Sequence, residues 1–497
     1  MTRRDIIELI PGLAAASAVG AIARADRGSD LSYLALTELS RLLRSRRLSA
    51  EEVMKAHLEQ VHRWNPRLNA IVARLDDQAC LALARAADSQ ITRGEATGAL
   101  HGIPWAFKDL EPAVGFPWTR GSPIYRNDEP TSDSVLVERI RRAGAIPIGK
   151  TNTPEFGMGS QTYNQVYGTT VNPYDLTKTA GGSSGGAAAS VAAGMLAGAD
   201  GSDLAGSLRN PASFTNVVGF RPTVGLVPTA PSLLPFFGFA VKGPIARSVA
   251  DIAYLLATMA GPDPRDPDCV PSDPQSFARP LDRGFKGVRV AWCPDLGGLP
   301  LDSRVRSILE AQRKKFEGLG CLVEDAHPDL GAAEEVFLTM RAFRSWTTLK
   351  SLLTTHRSEL KPEAIQEIED GGRLTAAQLS AAMVHHGQLL ETMRLFQETY
   401  PFMLSAVSQV PPFAASLHWP AAIEGVPMEH YIAWMKSAYW VSATYRPSVS
   451  VPAGFTSDGL PVGIQIVGRH RDDFGVLQLA YAFETVNDAG KRRPITA

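Results

Sequence analysis

The sequence lacks an excess of charge of either sign. It has 50 lysine and arginine residues against 51 aspartate and glutamate residues over 497 positions, for a formal net charge of -1. Proteins that bind nucleic acid usually carry a clustered basic excess, so we expect no nucleic-acid partner. At 44% hydrophobic residues the chain is long and apolar enough to bury a large core, which is typical of a soluble enzyme.

Cysteine is scarce, and no metal-binding pattern is present. The adjacent His385 and His386 lack H-E-x-x-H spacing and cannot both face one metal from one side of a helix. The cysteines lie far apart without C-x-x-C spacing, at Cys80, Cys269, Cys293 and Cys321. We therefore expect free thiols, no metal ion and no cofactor.

The chain also lacks a run of ~18 uninterrupted apolar residues, so no membrane span is expected. Residues 1–25 differ in composition from the rest: Arg3 and Arg4 precede an alanine-rich run that ends in an A-x-A site. This resembles a twin-arginine export signal and predicts an exported or periplasmic protein. Asp5 and Glu8 leave an amphipathic N-terminus, and hence a cytoplasmic protein, as the alternative.

Beyond this segment, helical and strand patterns alternate, which favours an α/β fold. Residues 135–150 run from a helix through a glycine turn into a short apolar strand, and residues 288–326 show a strand, a helix and a strand. A capping box at Ser49 and Glu52 begins a helix that Asn65-Pro66 is expected to stop. Residues 331–400 are predicted to be mainly helical.

The stretch GGSSGG at residues 181–186 is open to three interpretations. It is not a phosphate-binding P-loop, because no lysine follows the glycines. It matches the nucleophile elbow G-x-S-x-G twice, but the segment before it is polar and no downstream Asp and His candidates stand out. The third interpretation is a serine nucleophile activated by a lysine.

Suitable partners for such a serine are present. Lys108 ends the apolar run GIPWAFKDL, and a lysine buried at the end of a strand loses solvation and becomes a better base. The small residues around Ser207 allow backbone N–H groups to face an anion. A separate S-x-x-K pattern at Ser358 and Lys361 lies in a polar segment, and we interpret it as solvated surface.

Together these segments resemble the amidase signature family. The stretch from GGSSGG through GSDLAGSLRNPASFTNVVGFRPTVG is similar to the defining block of that family, and GIPWAFKDL, AGAIPIGKTNTPEFG, YGTTVNPYD and PSVSVPAGFTSDGLPVGIQIVGRHRDD are similar to its other segments. The resemblance implies one large α/β/α unit over residues 30–497 around a mixed, mostly parallel sheet. A variable helical region at about 285–440 is expected to cover the cleft.

The resemblance also implies site residues. The catalytic set would be Ser207 as nucleophile, Ser183 as bridging serine and Lys108 as base, working through an acyl-enzyme. The implied oxyanion hole consists of the backbone N–H groups of Leu204, Ala205, Gly206 and Ser207, and the supporting residues are Ser184, Asp203 and Arg209. Ala205 departs from the family pattern, which usually has glycine there, so φ > 0 is less accessible although the N–H remains.

Aromatic side chains near the cleft favour apolar or aromatic substrates. The predicted pocket residues are Trp105, Phe156, Tyr163, Phe236, Phe237 and Arg446, the last of which either contacts substrate or pairs with an acid. We expect a small-molecule acylamide, carbamate or ester substrate, as in aryl acylamidase, urethanase or nylon-oligomer cyclic-dimer hydrolase members, and a monomer or homodimer. The alternatives are the A-type component of an amidotransferase and a non-catalytic binding protein on the same fold.

Overall fold

A computed structural model describes residues 31–95 and 98–494. Within them the helices α1 to α13, in chain order, are Leu36–Arg44, Ala50–Leu68, Asp77–Thr92, Val135–Arg142, Gly185–Ala192, Arg209–Phe214, Val249–Met259, Ser303–Gly318, Ala333–Thr355, Pro362–Arg373, Ala376–Thr399, Lys436–Ala443 and Asp473–Thr485. Short 3-10 turns lie at Pro123–Tyr125, Glu155–Gly157, Pro274–Ala278, Arg357–Glu359, Ala433–Met435 and Asp488–Lys491. The predicted export signal lies outside the described residues.

Strands alternate with these helices. In chain order, β1 to β17 are Ile71–Val72, Pro104–Lys108, Ile146–Thr151, Tyr163–Asn164, Gly168–Thr169, Val171–Asn172, Asp175–Thr179, Gly198–Asp203, Val218–Arg221, Val241–Ala246, Arg289–Trp292, Leu322–Asp325, Phe402–Ala406, Ala422–Ile423, Val426–Pro427, Ser448–Phe455 and Pro461–Val467. The α/β class that the sequence predicts is confirmed.

The largest sheet has eight strands in the order β12-β11-β13-β17-β16-β9-β10-β8. It is mixed, as expected, but the prediction that it is mostly parallel is wrong. Only β11 pairs in parallel, with β12 and β13, and the other neighbouring pairs are antiparallel. Parallel neighbours need a long crossover, which α8 supplies between β11 and β12, whereas β16 and β17 are joined by a short turn that makes them antiparallel.

A second sheet, in the order β1-β3-β2, carries Lys108 at the end of β2. Every residue of β2 is buried, and the strand runs parallel to β3 with Lys108 opposite Thr151. The Asp200 carboxylate, on the edge strand β8 of the large sheet, accepts hydrogen bonds from the Trp105 indole N–H at 2.9 Å and the Lys108 backbone N–H at 3.1 Å. These contacts hold the two sheets side by side at the predicted base.

The predicted start of α2 is confirmed, but its predicted end is wrong. Ser49 and Glu52 form a capping box at the start of α2, as the sequence indicates. The helix does not stop at Asn65-Pro66, however, but continues to Leu68 and ends at Asn69 in the left-handed conformation. Proline near the last turn removes only one backbone donor, so the helix accommodates it there.

The helical segment predicted at residues 331–400 consists of α9, α10 and α11. Arg344, Thr348 and Leu349 of α9 line a cavity that also touches Ser202 of β8. None of the helices in the described ranges is long and apolar enough to cross a bilayer.

Candidate active site

Lys108 is fully buried, and its amine is surrounded by hydroxyl groups. Its Nζ lies 2.8 Å from Ser183 Oγ, 2.8 Å from Ser184 Oγ and 3.0 Å from Ser202 Oγ. No carboxylate of the described residues lies within 4.0 Å of this amine. A neutral amine donates two hydrogen bonds and accepts one, so three hydroxyl neighbours satisfy it without a charge.

Burial lowers the pKa of Lys108 to about 7, because the charged form loses solvation, and the more distant charges of Asp200, Glu111 and Asp203 only partly oppose this. Burial also raises the pKa of Asp200 to about 6, an effect that the charge of Glu111 increases. Near neutral pH the Lys108 amine is therefore available as a base.

The GGSSGG segment places two serines beside this amine. Ser183 and Ser184 precede α5, which begins at Gly185. A side chain at Gly186 would bring its Cβ within 2.3 Å of the Asn152 backbone nitrogen, so only glycine allows α5 to approach the end of β3 so closely. The glycines thus serve close packing around the serines and do not form a flexible linker.

Ser207 lies in a buried turn after β8 that comes against the serine segment. The Ser184 backbone N–H donates to the Ser207 carbonyl oxygen at 3.2 Å, which joins the two segments. The left-handed conformation in this turn falls on Gly206, with φ +109°, and not on Ala205. The Ala205 departure from the family pattern therefore introduces no backbone strain.

Asp203 holds the shape of the turn. Its carboxylate accepts the backbone N–H of Gly206 at 2.8 Å and of Leu208 at 3.1 Å. Arg209 donates to both carboxylate oxygens at 2.9 and 3.0 Å, and Arg221 lies 3.3 Å from one of them. These charged groups are fully buried, and the two guanidiniums hold the pKa of Asp203 well below its usual range against the opposing effect of burial.

The same bonds bear on the implied oxyanion hole. The Gly206 N–H is already donated to Asp203. In the described part of the chain, by contrast, the backbone N–H groups of Leu204, Ala205 and Ser207 donate to no protein acceptor. Three of the four implied donors are thus available to a ligand.

A cavity of about 350 Å³ adjoins Lys108 through Ser202. Of the predicted pocket residues, Phe156 and Phe237 line it. Phe236 is 74% exposed, and Tyr163 packs against His418 with ring centres 5.3 Å apart, beside a separate, smaller cavity. Lys108, Ser183 and Ser207 do not themselves line the cavity of about 350 Å³, nor do they line a larger cavity of about 620 Å³ beside α10, which also lacks Ser202.

Trp105 and Arg446, like Tyr163 and Phe236, do not line the cavity beside Lys108. Trp105 is fully buried in β2 and donates to Asp200, so it braces the strand that carries Lys108. Arg446 is buried and donates to the Gln397 amide oxygen at 2.8 Å and the Leu390 carbonyl oxygen at 3.2 Å. Among the described residues it therefore pairs with no acid, and it does not line the cavity beside Lys108.

Sequence reasoning missed Ser202 and Asp200. A signal existed, because alternate residues of a strand point to one side, and GADGSD places these two on the same face of β8. The interpretation of Lys361 as solvated surface is wrong: it is buried, donates from Nζ to the Met158 carbonyl oxygen at 2.6 Å, and burial lowers its pKa to about 8. Helix α10 packs this lysine inward.

Within the described residues, no group of three or more His, Cys, Asp or Glu side chains is placed to hold a metal ion. The chemistry available at the site is that of one amine, several hydroxyls and backbone N–H donors. Such a set suits acyl transfer.

Comparison with known proteins agrees with this chemistry. The sequence profile of the Amidase family matches residues 52–477. The chain belongs to the amidase family. This amidase is 36% identical over 468 residues to an acylamidase of Rhodococcus erythropolis, covering 94% of this chain and 98% of that protein.

The chain is also 31% identical over 487 residues to the A-type component of the glutamyl-tRNA(Gln) amidotransferase of Pseudomonas aeruginosa, covering 93% of this chain and 99% of that one. The crystal structure of a bacterial aryl acylamidase of the amidase signature family superposes with a TM-score of 0.87 at 27% identity, over 94% of this chain and 100% of that one. The amidase signature fold is thereby confirmed, and the protein is an amide hydrolase.

Proposed function

We propose that this amidase cleaves small acylamides through a Ser-Ser-Lys relay and a covalent acyl-enzyme. One observation carries the proposal: Lys108 is buried, has no counter-ion among the described residues and contacts Ser183 Oγ at 2.8 Å. A lysine held in this way is a base at neutral pH, and its neighbouring hydroxyl is suited to pass a proton onward.

The relay runs in both directions. Ser207 Oγ attacks the substrate carbonyl carbon while its proton passes to Ser183 and the Ser183 proton passes to Lys108. The relay then returns a proton to the substrate nitrogen, the C–N bond breaks and the amine leaves. Water then loses a proton to the same relay and attacks the acyl carbon. The bond between that carbon and Ser207 Oγ breaks, the relay returns the proton to Ser207, and the carboxylic acid leaves.

The turn around Ser207 would stabilise the negative oxygen that forms in each addition. Leu204, Ala205 and Ser207 offer backbone N–H groups that bond to no described acceptor, and each donor of this kind is worth about 3 kcal/mol of the barrier. Beneath the turn, Arg209 and Arg221 face a single carboxylate, Asp203, which leaves one net positive charge. This charge favours an oxyanion above it.

The substrate class follows from the cavity beside Lys108. Phe156, Phe237, Leu110 and Trp118 give it apolar and aromatic walls, so we propose apolar or aromatic acylamides as substrates. The same relay cleaves esters and carbamates, because their leaving groups need no more protonation than an amine. We further propose that the protein acts as a monomer or homodimer and that Arg3 and Arg4 direct its export.

Replacement of the nucleophile tests the function directly. We expect Ser207→Ala to abolish hydrolysis of acyl anilides and covalent labelling by a fluorophosphonate, while the far-ultraviolet circular dichroism stays the same. Ser358→Ala is the matched control, because Ser358 is an exposed serine of the unrelated S-x-x-K pattern. Normal turnover by Ser207→Ala would refute the relay.

The amidotransferase alternative predicts that the chain needs partner proteins for its activity. The higher identity to the acylamidase, 36% against 31%, supports hydrolysis by the chain alone. Purified protein without any added partner protein is expected to hydrolyse an acyl anilide. If the protein neither hydrolyses the anilide nor reacts with the fluorophosphonate, the non-catalytic alternative is supported instead.

A further inference from the structure

Arg344 lines the cavity beside Lys108 and forms no ion pair with a described acidic residue. It lies in α9, on the same face as Thr348 and Leu349, which line the cavity with it. Among the residues the structure describes, no carboxylate lies within 4.0 Å of its guanidinium and no acceptor bonds to its nitrogens. Burial lowers its pKa, and Arg341 adds to this effect.

Glu367, the acidic residue whose charge acts on Arg344, is paired with Arg341. Glu367 attracts Arg344 only through space, because its carboxylate lies 2.6 Å from the Arg341 guanidinium and accepts the Tyr431 hydroxyl at 2.6 Å. Glu367 is therefore not free to turn toward the cavity.

The other charged groups of the cavity lining are paired. Lys242 lies 2.6 Å from the Glu111 carboxylate. Arg120 lies 2.6 Å from Asp128, and its guanidinium also stacks over the Trp118 ring. Arg344 thus supplies the one uncompensated charge among the charged residues that line this cavity in the described part of the chain.

The cavity adjoins the end of the proposed relay that protonates the leaving amine. Ser202, in its lining, has its hydroxyl 3.0 Å from Lys108 Nζ. In the relay proposed above, Lys108 and Ser183 return the proton to the departing nitrogen, so that nitrogen and its substituent lie at this end. A substituent that extends into the cavity from there approaches Arg344.

We propose that Arg344 binds a carboxylate on the leaving amine, so that the preferred amides of this enzyme release an amino acid. Substrates of this class are N-acylated amino acids, including acylated aminobenzoates, whose apolar part contacts the walls at Phe156 and Phe237. A guanidinium bonds both oxygens of a carboxylate through two parallel N–H donors, and a half-buried cation without a counter-ion is suited to this role. The inference rests on the proposed function.

The test compares two substrates that differ in charge. Hydrolysis of 4-acetamidobenzoate is measured beside that of 4-acetamidoacetophenone, a neutral analogue, in the wild type and in Arg344→Gln. The ratio of kcat/KM for the anionic to the neutral substrate is expected to fall at least about 10-fold in the variant, the usual effect of losing one charge-assisted pair. Arg344→Lys, which keeps the charge but loses the two-pronged geometry, is expected to give an intermediate ratio.

Arg394→Gln is the matched control, because Arg394 is an exposed arginine of α11 that pairs with Glu391 and Glu398. Its substrate ratio is expected to equal that of the wild type. Calorimetric binding of 4-aminobenzoate, expected to weaken in Arg344→Gln, gives a second readout without turnover. An unchanged ratio and unchanged binding overturn the inference alone, whereas a wild type inert toward both anilides overturns the proposed function.

Discussion

At the scale of single residues, the isolation of Lys108 from acidic groups explains its chemistry. The nearby Asp200 carboxylate binds the backbone N–H of Lys108 and not its amine. Among the described residues, the amine therefore hydrogen-bonds to the hydroxyls of Ser183, Ser184 and Ser202, and no carboxylate lies within 4.0 Å of it. Desolvation then dominates and makes the lysine a base near neutral pH.

This predicts the pH dependence of the reaction. Because the pKa of Lys108 is about 7 and the neutral amine is the active form, kcat/KM for a neutral anilide is expected to rise with pH and reach half its maximum near pH 7. Initial rates across pH 5 to 10 measure it. A profile that continues to rise toward pH 10 would show a lysine of ordinary basicity.

The residue scale also shows what sequence alone can reveal. Lys108 is recognisable because it ends an apolar strand, and Ser183 because glycines surround it. The strand pattern places Ser202 on one face of β8, but it does not show that Ser202 contacts the amine. That contact depends on β8 packing beside β2, a strand of the other sheet that is distant in the chain. That Arg344 lacks an ion pair with a described residue likewise depends on tertiary packing, because α10 places Glu367 against Arg341.

At the scale of elements, the turn from Asp203 to Leu208 is shaped by one carboxylate. Asp203 binds two backbone N–H groups of the turn and two guanidiniums beneath it. Only glycine suits position 206, because a Cβ there would lie 2.5 Å from the Ala438 Cβ. The orientation of the remaining N–H groups therefore depends on this carboxylate.

Asp203→Asn is expected to impair both catalysis and stability. It leaves Arg209 and Arg221 buried without a counter-ion, which costs roughly 3 to 5 kcal/mol of unfolding free energy. Loss of the turn geometry is expected to lower kcat on the order of 100-fold. Steady-state kinetics and urea denaturation measure the two effects, with the exposed Asp458→Asn as control. A kcat within twofold of wild type would contradict the role assigned to the turn.

Element boundaries were predictable where local signals decide them. The capping box at Ser49 and the strand, helix and strand of residues 288–326 follow from local pattern and are confirmed. The direction of strand pairing is set by how each connection crosses the sheet, which local pattern does not contain. The burial of Lys361 escapes local pattern for a similar reason, since its polar neighbours in sequence do not indicate that α10 packs it inward.

At the scale of the whole molecule, burial of the Lys108 amine lowers the free energy of unfolding, and the same burial makes the amine a base near neutral pH. Its pKa is about 7 in the folded protein and 10.5 in an ordinary exposed lysine, so between these values the unfolded chain binds more protons. Stability contributed by this group therefore rises with pH across that window and is constant below it. Buried carboxyls such as Asp473, whose pKa burial raises to about 6, act in the opposite direction at lower pH.

Removal of the amine is expected to abolish this dependence. Lys108→Met, measured against the wild type by urea denaturation, is expected to show a stability difference that favours the variant more at pH 6 than at pH 9. The change between the two pH values is roughly 3 kcal/mol, set by two pH units of titration above pH 7. Carboxyl groups cancel in the comparison, so an unchanged difference would show that Lys108 titrates alike in both states.

The most direct measurement is the titration of Lys108 itself. In protein labelled with carbon-13 at the lysine Cε, the resonance absent from Lys108→Met identifies the residue, and its chemical shift is followed with pH. The account predicts a midpoint of about 7. A midpoint near the 10.5 of an ordinary lysine would mean that the amine is charged at neutral pH, and the proposed relay would have no base.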